Sequence, residues 1–140
     1  MTTSPLARGL QKGIETTWIL AKAIVPAYLA VYFLAKTPVL EAISRMAEPL
    51  LGLVGLPGEA ALPLVLGMVV SLYTGIGALA PLDLGAKEAT IIAVILSVAH
   101  NLPVETAVTR QMGVSVWFAL AVRLGLAAAL AFIMHLVWRV

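Results

Sequence analysis

The stretch AALPLVLGMVVSLYTGIGALAPL, residues 60–82, runs for 23 residues without a charged side chain. A helix needs about 20 consecutive apolar residues to cross a hydrocarbon core about 30 Å thick. This run alone predicts a membrane span over 60–82, and the neighbouring segments are read outward from it. Gly67, Ser71 and Gly75 recur at i+4 within it, a small-residue stripe that lets a second helix approach closely. Ser71 and Thr74 are also polar groups at membrane depth, which makes them candidates for a solute site.

Downstream, Asp83, Lys87 and Glu88 mark a water-facing turn, with Asp83 and Lys87 spaced as an i,i+4 surface pair. Residues 89–99 are apolar but stop at His100-Asn101. Eleven residues at about 1.5 Å each cover only about half of the core. Residues 104–112 are short and polar, and 113–138 form a full-length span interrupted by Arg123. Arg123 lies ten residues, about 15 Å, into that span. An arginine there costs at least about 2.5–3.5 kcal/mol on insertion scales, so it must face protein, water or a partner. A structural ion pair with one of the seven carboxylates and a site for a solute anion both satisfy that demand.

Upstream, residues 39–52 place Val39, Leu40, Ile43, Met46, Ala47, Leu50 and Leu51 on one helical face and Glu41, Arg45 and Glu48 on the other. That pattern is an amphipathic helix, too short and charged to span lipid by itself. It either lies in the interface or lines a polar cavity. Residues 18–35 form a further span, with Trp18, Tyr28 and Tyr32 as aromatic anchors and Lys22 able to snorkel. Lys36-Thr37-Pro38 ends it. Residues 1–15 read as a polar tail running into an interfacial helix. Lys22 interrupts the apolar stretch after Arg8 and Lys12, and no small-x-small site follows, so the N-terminus is expected to be retained.

Composition agrees with the spans. The 140-residue chain is 61% hydrophobic and 11% charged, against about 45–50% and about 25% in soluble domains. A net charge of +2 without basic runs gives no sign of nucleic-acid binding. There is no cysteine and only two well-separated histidines, which excludes thiolate chemistry and argues against a metal cage; no cofactor is implied. No nucleophile elbow, phosphate-binding loop or His-x-x-x-His helix is present, so an enzyme is not expected.

Two helix starts resemble one another. Leu56-Pro57-Gly58-Glu59 and Leu102-Pro103-Val104-Glu105 align at an offset of 46, with Ala61/Ala107 and Gly67/Gly113 extending the match. Both put proline where its missing N–H is harmless and a carboxylate in the first turn, where the helix dipole favours it. Leu-Pro-x-Glu is also a common helix start, so chance and a structural repeat both account for it. The densest polar cluster, His100, Asn101, Glu105, Thr106, Arg110 and Gln111, surrounds the second start. On a helix from Pro103, Glu105 shares a face with Thr109 and Thr106 with Arg110. A solvated loop helix and a solute site are the two readings of this cluster. In transporters with repeats, broken helices meet near the midplane to build the substrate site, and this predicts that Glu59 and the 101–110 cluster lie together.

The stretch GLPGEAALPLVLGMVVSLYTGIGALAPLDLGAKEATIIAVILSVAHNLPVETAVTRQMG, residues 55–113, resembles the nucleoside recognition, or Gate, domain; its most specific piece is AHNLPVET, 99–106. That domain occurs in small bacterial membrane proteins, in spore maturation proteins A and B and in the membrane part of ferrous-iron transporter B. It is related to concentrative nucleoside transporters. The resemblance implies helical hairpins and broken helices around a polar site. This chain is far shorter than the transporters and lacks the GTPase domain and metal-site cysteines associated with the iron transporter.

The resulting expectation is an all-α integral membrane protein. It is one domain over 1–140, with a tail over 1–15 and a Gate-like region over 16–138. It has three or four transmembrane helices plus broken or re-entrant pieces, in the inner (cytoplasmic) membrane. The leading function is a small transporter or channel-like protein with a polar solute site at broken helix tips, working as a homodimer. The alternative is a non-transporting subunit that assembles with a partner protein. Candidate solute-binding residues are Glu59, Ser71, Thr74, His100, Asn101, Glu105, Thr106, Arg110, Gln111 and Arg123. With four spans, one side carries Arg8, Lys12, Lys22, Lys87 and Arg139 and the other Lys36, Arg45 and Arg110. So weak a bias permits insertion both ways up and an antiparallel homodimer, beside parallel and hetero-oligomeric arrangements.

Overall fold

Seven helices follow one another in the computed structural model, which describes residues 5–138: α1 (Pro5–Leu34), α2 (Pro38–Leu51), α3 (Ala61–Val69), α4 (Leu72–Leu79), α5 (Ala86–Ala99), α6 (Leu102–Gln111) and α7 (Val116–Val137). Short 3-10 turns at Gly52–Val54 and Gly58–Ala60 join α2 to α3, and no strand occurs among the described residues. The first four tail residues and Arg139 of the charge tally fall outside the described range.

Three helical segments are long and apolar enough to cross a membrane: α1, α5 with α6 taken together, and α7. A fourth is possible if α2 and α3, bent by 98° at their junction, count as one broken span. The expected three or four spans are present, although their make-up differs from the expectation, most of all in one place.

That place is 60–82. The most apolar run of the chain is not one span. It breaks at Val70-Ser71 and folds back as an α3–α4 hairpin. Ser71 is extended and caps α4, its Oγ accepting from the Thr74 backbone N–H at 3.1 Å. Gly67 and Gly75, eight residues apart, would stand about 12 Å apart on a straight helix. Instead, a Cβ added at Gly75 would lie 2.8 Å from Gly67 Cα and 3.0 Å from Pro63 O. The glycine stripe lets the segment approach itself rather than another long helix. Hydropathy reports only that a segment avoids water; an apolar hairpin and an apolar span score alike.

Other boundaries shift for local reasons. α1 begins at Pro5, so the polar residues after it form its first turns rather than a tail. Thr37 and Pro38 separate α1 from α2 as expected. Asp83 precedes the N-cap Gly85 of α5, so it cannot form the anticipated i,i+4 helical pair with Lys87. The short segment 89–99 does not stop halfway: α6 continues it, and α5 with α6 makes a 26-residue crossing.

The core is small. Leu56, Ala60, Leu64, Ile91, Ile92, Ile95, Leu96, Ala99, Ala127 and Ala131 form one buried cluster where α3, α5 and α7 meet. Most other large apolar side chains point outward, Trp117 being 81% exposed. In water such a surface would drive association; against acyl chains it has no such cost, because lipid is as apolar as leucine. On the other flank, α4 packs on α1, where a Cβ at Gly77 would meet Ile24 O at 2.6 Å.

Candidate functional site

The α5–α6 break carries the densest polar contacts of the described chain. Pro103 has no N–H to offer Ala99 O, and its ring would collide with that carbonyl in a continuous helix. His100 is extended, and Asn101 is left-handed at φ 51°, ψ 39°, a conformation asparagine tolerates better than most residues. The chain then restarts as α6.

The break frees backbone groups, and tertiary contacts take them up. The Asn101 N–H donates to Gly67 O in the α3–α4 hairpin at 3.1 Å, while Asn101 O accepts from the Glu105 N–H. Arg123 of α7 donates from Nε to Val98 O at 2.8 Å and from Nη1 to Glu105 Oε2 at 2.5 Å. One guanidinium thus holds the last turn of α5 and the first turn of α6. Non-helical backbone at this depth persists only where protein or trapped water satisfies it, and Arg123 supplies part of that satisfaction.

His100 completes the cluster. Its Nδ1 lies 2.8 Å from Leu96 O; a carbonyl only accepts, so Nδ1 carries the hydrogen. Nε2 is turned towards Glu105 Oε1, 3.6 Å away. Glu105 therefore sits between a fixed cation and an imidazole that is charged only when protonated. The pair is partly open: side-chain exposure is 21% for Arg123, 31% for His100 and 41% for Glu105. Arg123 lies seven residues into α7, about 10 Å from its start, because α7 begins at Val116 rather than near Gly113. It sits about a third of the way into the crossing rather than at its centre.

The other expected site residues divide. Thr106 points its hydroxyl back to Leu102 O at 2.7 Å, satisfying itself within α6. Arg110 and Gln111 are exposed at the end of α6, near the exposed Met112 and Trp117, and take no part in the Arg123 cluster. Ser71 and Thr74 bond one another at 2.8 Å at the hairpin turn, one turn beyond the Gly67 carbonyl. Glu59 is not brought to Asn101. It stands in the 3-10 turn Gly58–Ala60 that precedes α3, at the opposite end of that helix from Gly67, and lines a separate cavity of about 340 Å³ with Thr37, Ser44, Arg45 and Glu48. Glu41 lines that cavity too and forms an ion pair with Arg45. The charged face of α2 thus lines a polar cavity, one of the two roles open to it.

The backbone oxygens of Gly67 and Val98 were not anticipated in the site. No side-chain pattern marks them; they matter because helix breaks and a distant arginine meet there. Gly55 was also missed. It is left-handed at φ 72°, and a Cβ on it would lie 1.8 Å from His135 Nδ1 of α7. Gly55 and Asn101 each immediately precede Leu-Pro, so the two breaks are built alike, and α7 places a basic side chain against each.

This arrangement defines a multi-pass α-helical membrane protein organised round discontinuous helices with an ion pair at one break. Residues 17–134 match the Gate family, described as nucleoside recognition, and the chain belongs to that family. It is similar to the uncharacterized membrane protein YvoD of Bacillus subtilis (strain 168), at 48% identity over 130 residues, which is 93% of this chain and 42% of the relative. The chain thus spans about two-fifths of the length of that relative. No solved structure gives a significant match.

Proposed function

We propose that this protein is a small transporter or channel-like protein of the inner membrane, that it works as a homodimer, and that the α5–α6 break is its solute site. The observation that carries the reading is the unwound backbone at His100-Asn101, which interrupts the apolar α5–α6 segment and is flanked by the Arg123–Glu105 ion pair. Transporters place their solute sites at such interruptions because only there does backbone offer hydrogen bonds at membrane depth. Asn101, His100 and Glu105 supply donors and acceptors, and the Arg123–Glu105 pair leaves the site near neutrality, which suits a polar solute better than a bare ion. The family description, nucleoside recognition, supports a nucleoside-like solute. The likeness of the Gly55 and Asn101 breaks supports an internal repeat. The reading assigns the site to binding, not catalysis.

The test is a thermal-stability screen of purified protein with nucleosides, nucleobases, amino acids and metal ions, since a ligand specific for the folded state raises its melting temperature by mass action. A hit whose stabilisation disappears in Asn101→Ala, and which enters liposomes only when the protein is present, is the expected result. Stabilisation unchanged by Asn101→Ala would move the site elsewhere.

A second reading, a non-transporting subunit completed by a partner, draws on one observation: more than half of YvoD lies outside the matched stretch. It requires that the stabilising solute bind the isolated protein yet enter liposomes only when a second protein is reconstituted beside it.

A further inference from the structure

His100 and Glu105 turn two acceptors towards one another. The Nδ1 hydrogen is committed to Leu96 O at 2.8 Å, so the neutral ring presents a bare lone pair at Nε2 to Glu105 Oε1, 3.6 Å away. That separation is too long for a hydrogen bond, and neither atom has a hydrogen to give. Arg123 holds the other carboxylate oxygen, Oε2. One hydrogen placed on Nε2 turns this unfavourable pair into a charge-assisted hydrogen bond. Imidazole is the side chain suited to gaining it near neutral pH. His100 and Glu105 are both partly exposed, so a proton can reach the ring. Among the described residues, the charged groups facing His100 are Glu105 from α6 and Arg123 from α7. α3, which packs on α5 and α6, carries no titratable side chain. Lys87 and Glu88 of α5, Arg110 of α6 and His135 of α7 stand at the far ends of their helices.

We propose that His100 Nε2 and Glu105 Oε1 form a proton-binding site, and that the bound proton latches the α5–α6 break. The step is a proton transfer from water to Nε2; Nδ1 keeps its hydrogen, and no bond between heavy atoms forms or breaks. The ring becomes an imidazolium whose Nε2–H donates to Oε1, so that Glu105 has a cation at each oxygen. The ring is anchored to the last turn of α5 through Leu96 O, and Glu105 belongs to the first turn of α6. Arg123 already joins these two turns through Val98 O and Oε2. Protonation ties them a second time and changes the cluster from neutral to a single positive charge. Loss of the proton frees Oε1 to accept from a solute. The inference rests on the reading of the break as a solute site, and it adds the ion that sets whether the break is held or free. Proton binding is measured without any solute.

The probe is the proton itself. Nitrogen NMR of labelled protein in bicelles, from about pH 5 to 8, follows the His100 ring and Arg123 Nε, and carbon NMR follows the Glu105 carboxyl. His135 is the second histidine, and the His100 signals are those missing from His100→Gln. The expected result is a hydrogen on Nδ1 throughout, a second one appearing on Nε2 towards acid pH, and Arg123 and Glu105 signals that move with the same midpoint. The Asn101 and Glu105 amides flank the break, donating to Gly67 O and Asn101 O. Corrected for intrinsic exchange, they should be protected about fivefold or more in the protonated state, the effect of one further charge-assisted bond at a partly open site. His100→Gln should lose that pH response. A ring that keeps one charge state throughout, a neutral ring with its hydrogen on Nε2, or a protonation to which neither Glu105 nor Arg123 responds overturns the proposal. Should His100→Gln fail to fold, the wild-type titration decides alone, with His100 assigned through its backbone. A solute whose binding needs Asn101, in a protein whose His100 never titrates, defeats the latch alone. A latch that titrates as expected, in a protein stabilised by none of the screened solutes, defeats the solute reading alone.

Discussion

Replacing Arg123 with leucine tests the idea that one guanidinium holds the α5–α6 break. The change removes the Nε bond to Val98 O and the Nη1 bond to Glu105 and leaves the Glu105 carboxylate with only the His100 imidazole, 3.6 Å away. A hydrogen bond to a charged group contributes about 1.5–3 kcal/mol, and an orphaned carbonyl costs about 1–3 kcal/mol. Because Glu105 is 41% exposed, the lower part of each range applies, water or a partner screening part of the charge. The expected loss is about 2–4 kcal/mol. Glu105→Gln keeps an acceptor oxygen for Arg123 and removes only the charge, for a loss of about 1 kcal/mol. In the double variant the glutamine has no guanidinium to lose, so the total should fall short of the sum of the singles by about 1 kcal/mol or more. The assay is reversible unfolding in bicelles, followed by tryptophan fluorescence, on wild type, both single variants and the double. Lys87→Leu, outside the cluster, is the control and should change little. Losses that add to within about 0.5 kcal/mol, or an Arg123→Leu protein as stable as Lys87→Leu, would refute the role assigned to this arginine.

Further outcomes follow from backbone geometry. Asn101→Gly should fold and keep the break, whereas Asn101→Val, a β-branched residue at φ 51°, should lose about 1–2 kcal/mol; the same unfolding assay reads the difference. Gly75→Ala should destabilise more than Gly67→Ala, because the new methyl at Gly75 meets backbone and that at Gly67 meets the movable Leu96 side chain; about 1–3 kcal/mol is expected for Gly75→Ala. Gly125→Ala faces open space and should be neutral or stabilising by up to about 1 kcal/mol. Gly55→Ala combines a left-handed φ with a collision on His135, and should be the most damaging of the four glycine changes by folded yield in membranes.

Some of this architecture is legible along the chain. The share of apolar residues requires lipid as solvent; Pro38 and Pro103 mark helix starts; the spacing of Glu41, Arg45 and Glu48 makes α2 two-faced; and the intramembrane Arg123 demands a partner. These follow from local covalent geometry and from the cost of charge in hydrocarbon, which need no knowledge of neighbours. The partner's identity does not follow. Seven carboxylates were available, and only packing of α7 along α5 and α6 brings Glu105, rather than Glu59, to the guanidinium. The reversal at Val70-Ser71 was equally hidden, since the glycines that fold the hairpin on itself have the same spacing as glycines that would admit a second helix. The paired Leu-Pro-x-Glu tips resemble each other in sequence, yet α3 stands between them. Local sequence sets where a helix can break; which breaks meet depends on the helices lying between them, and only the tertiary structure decides that.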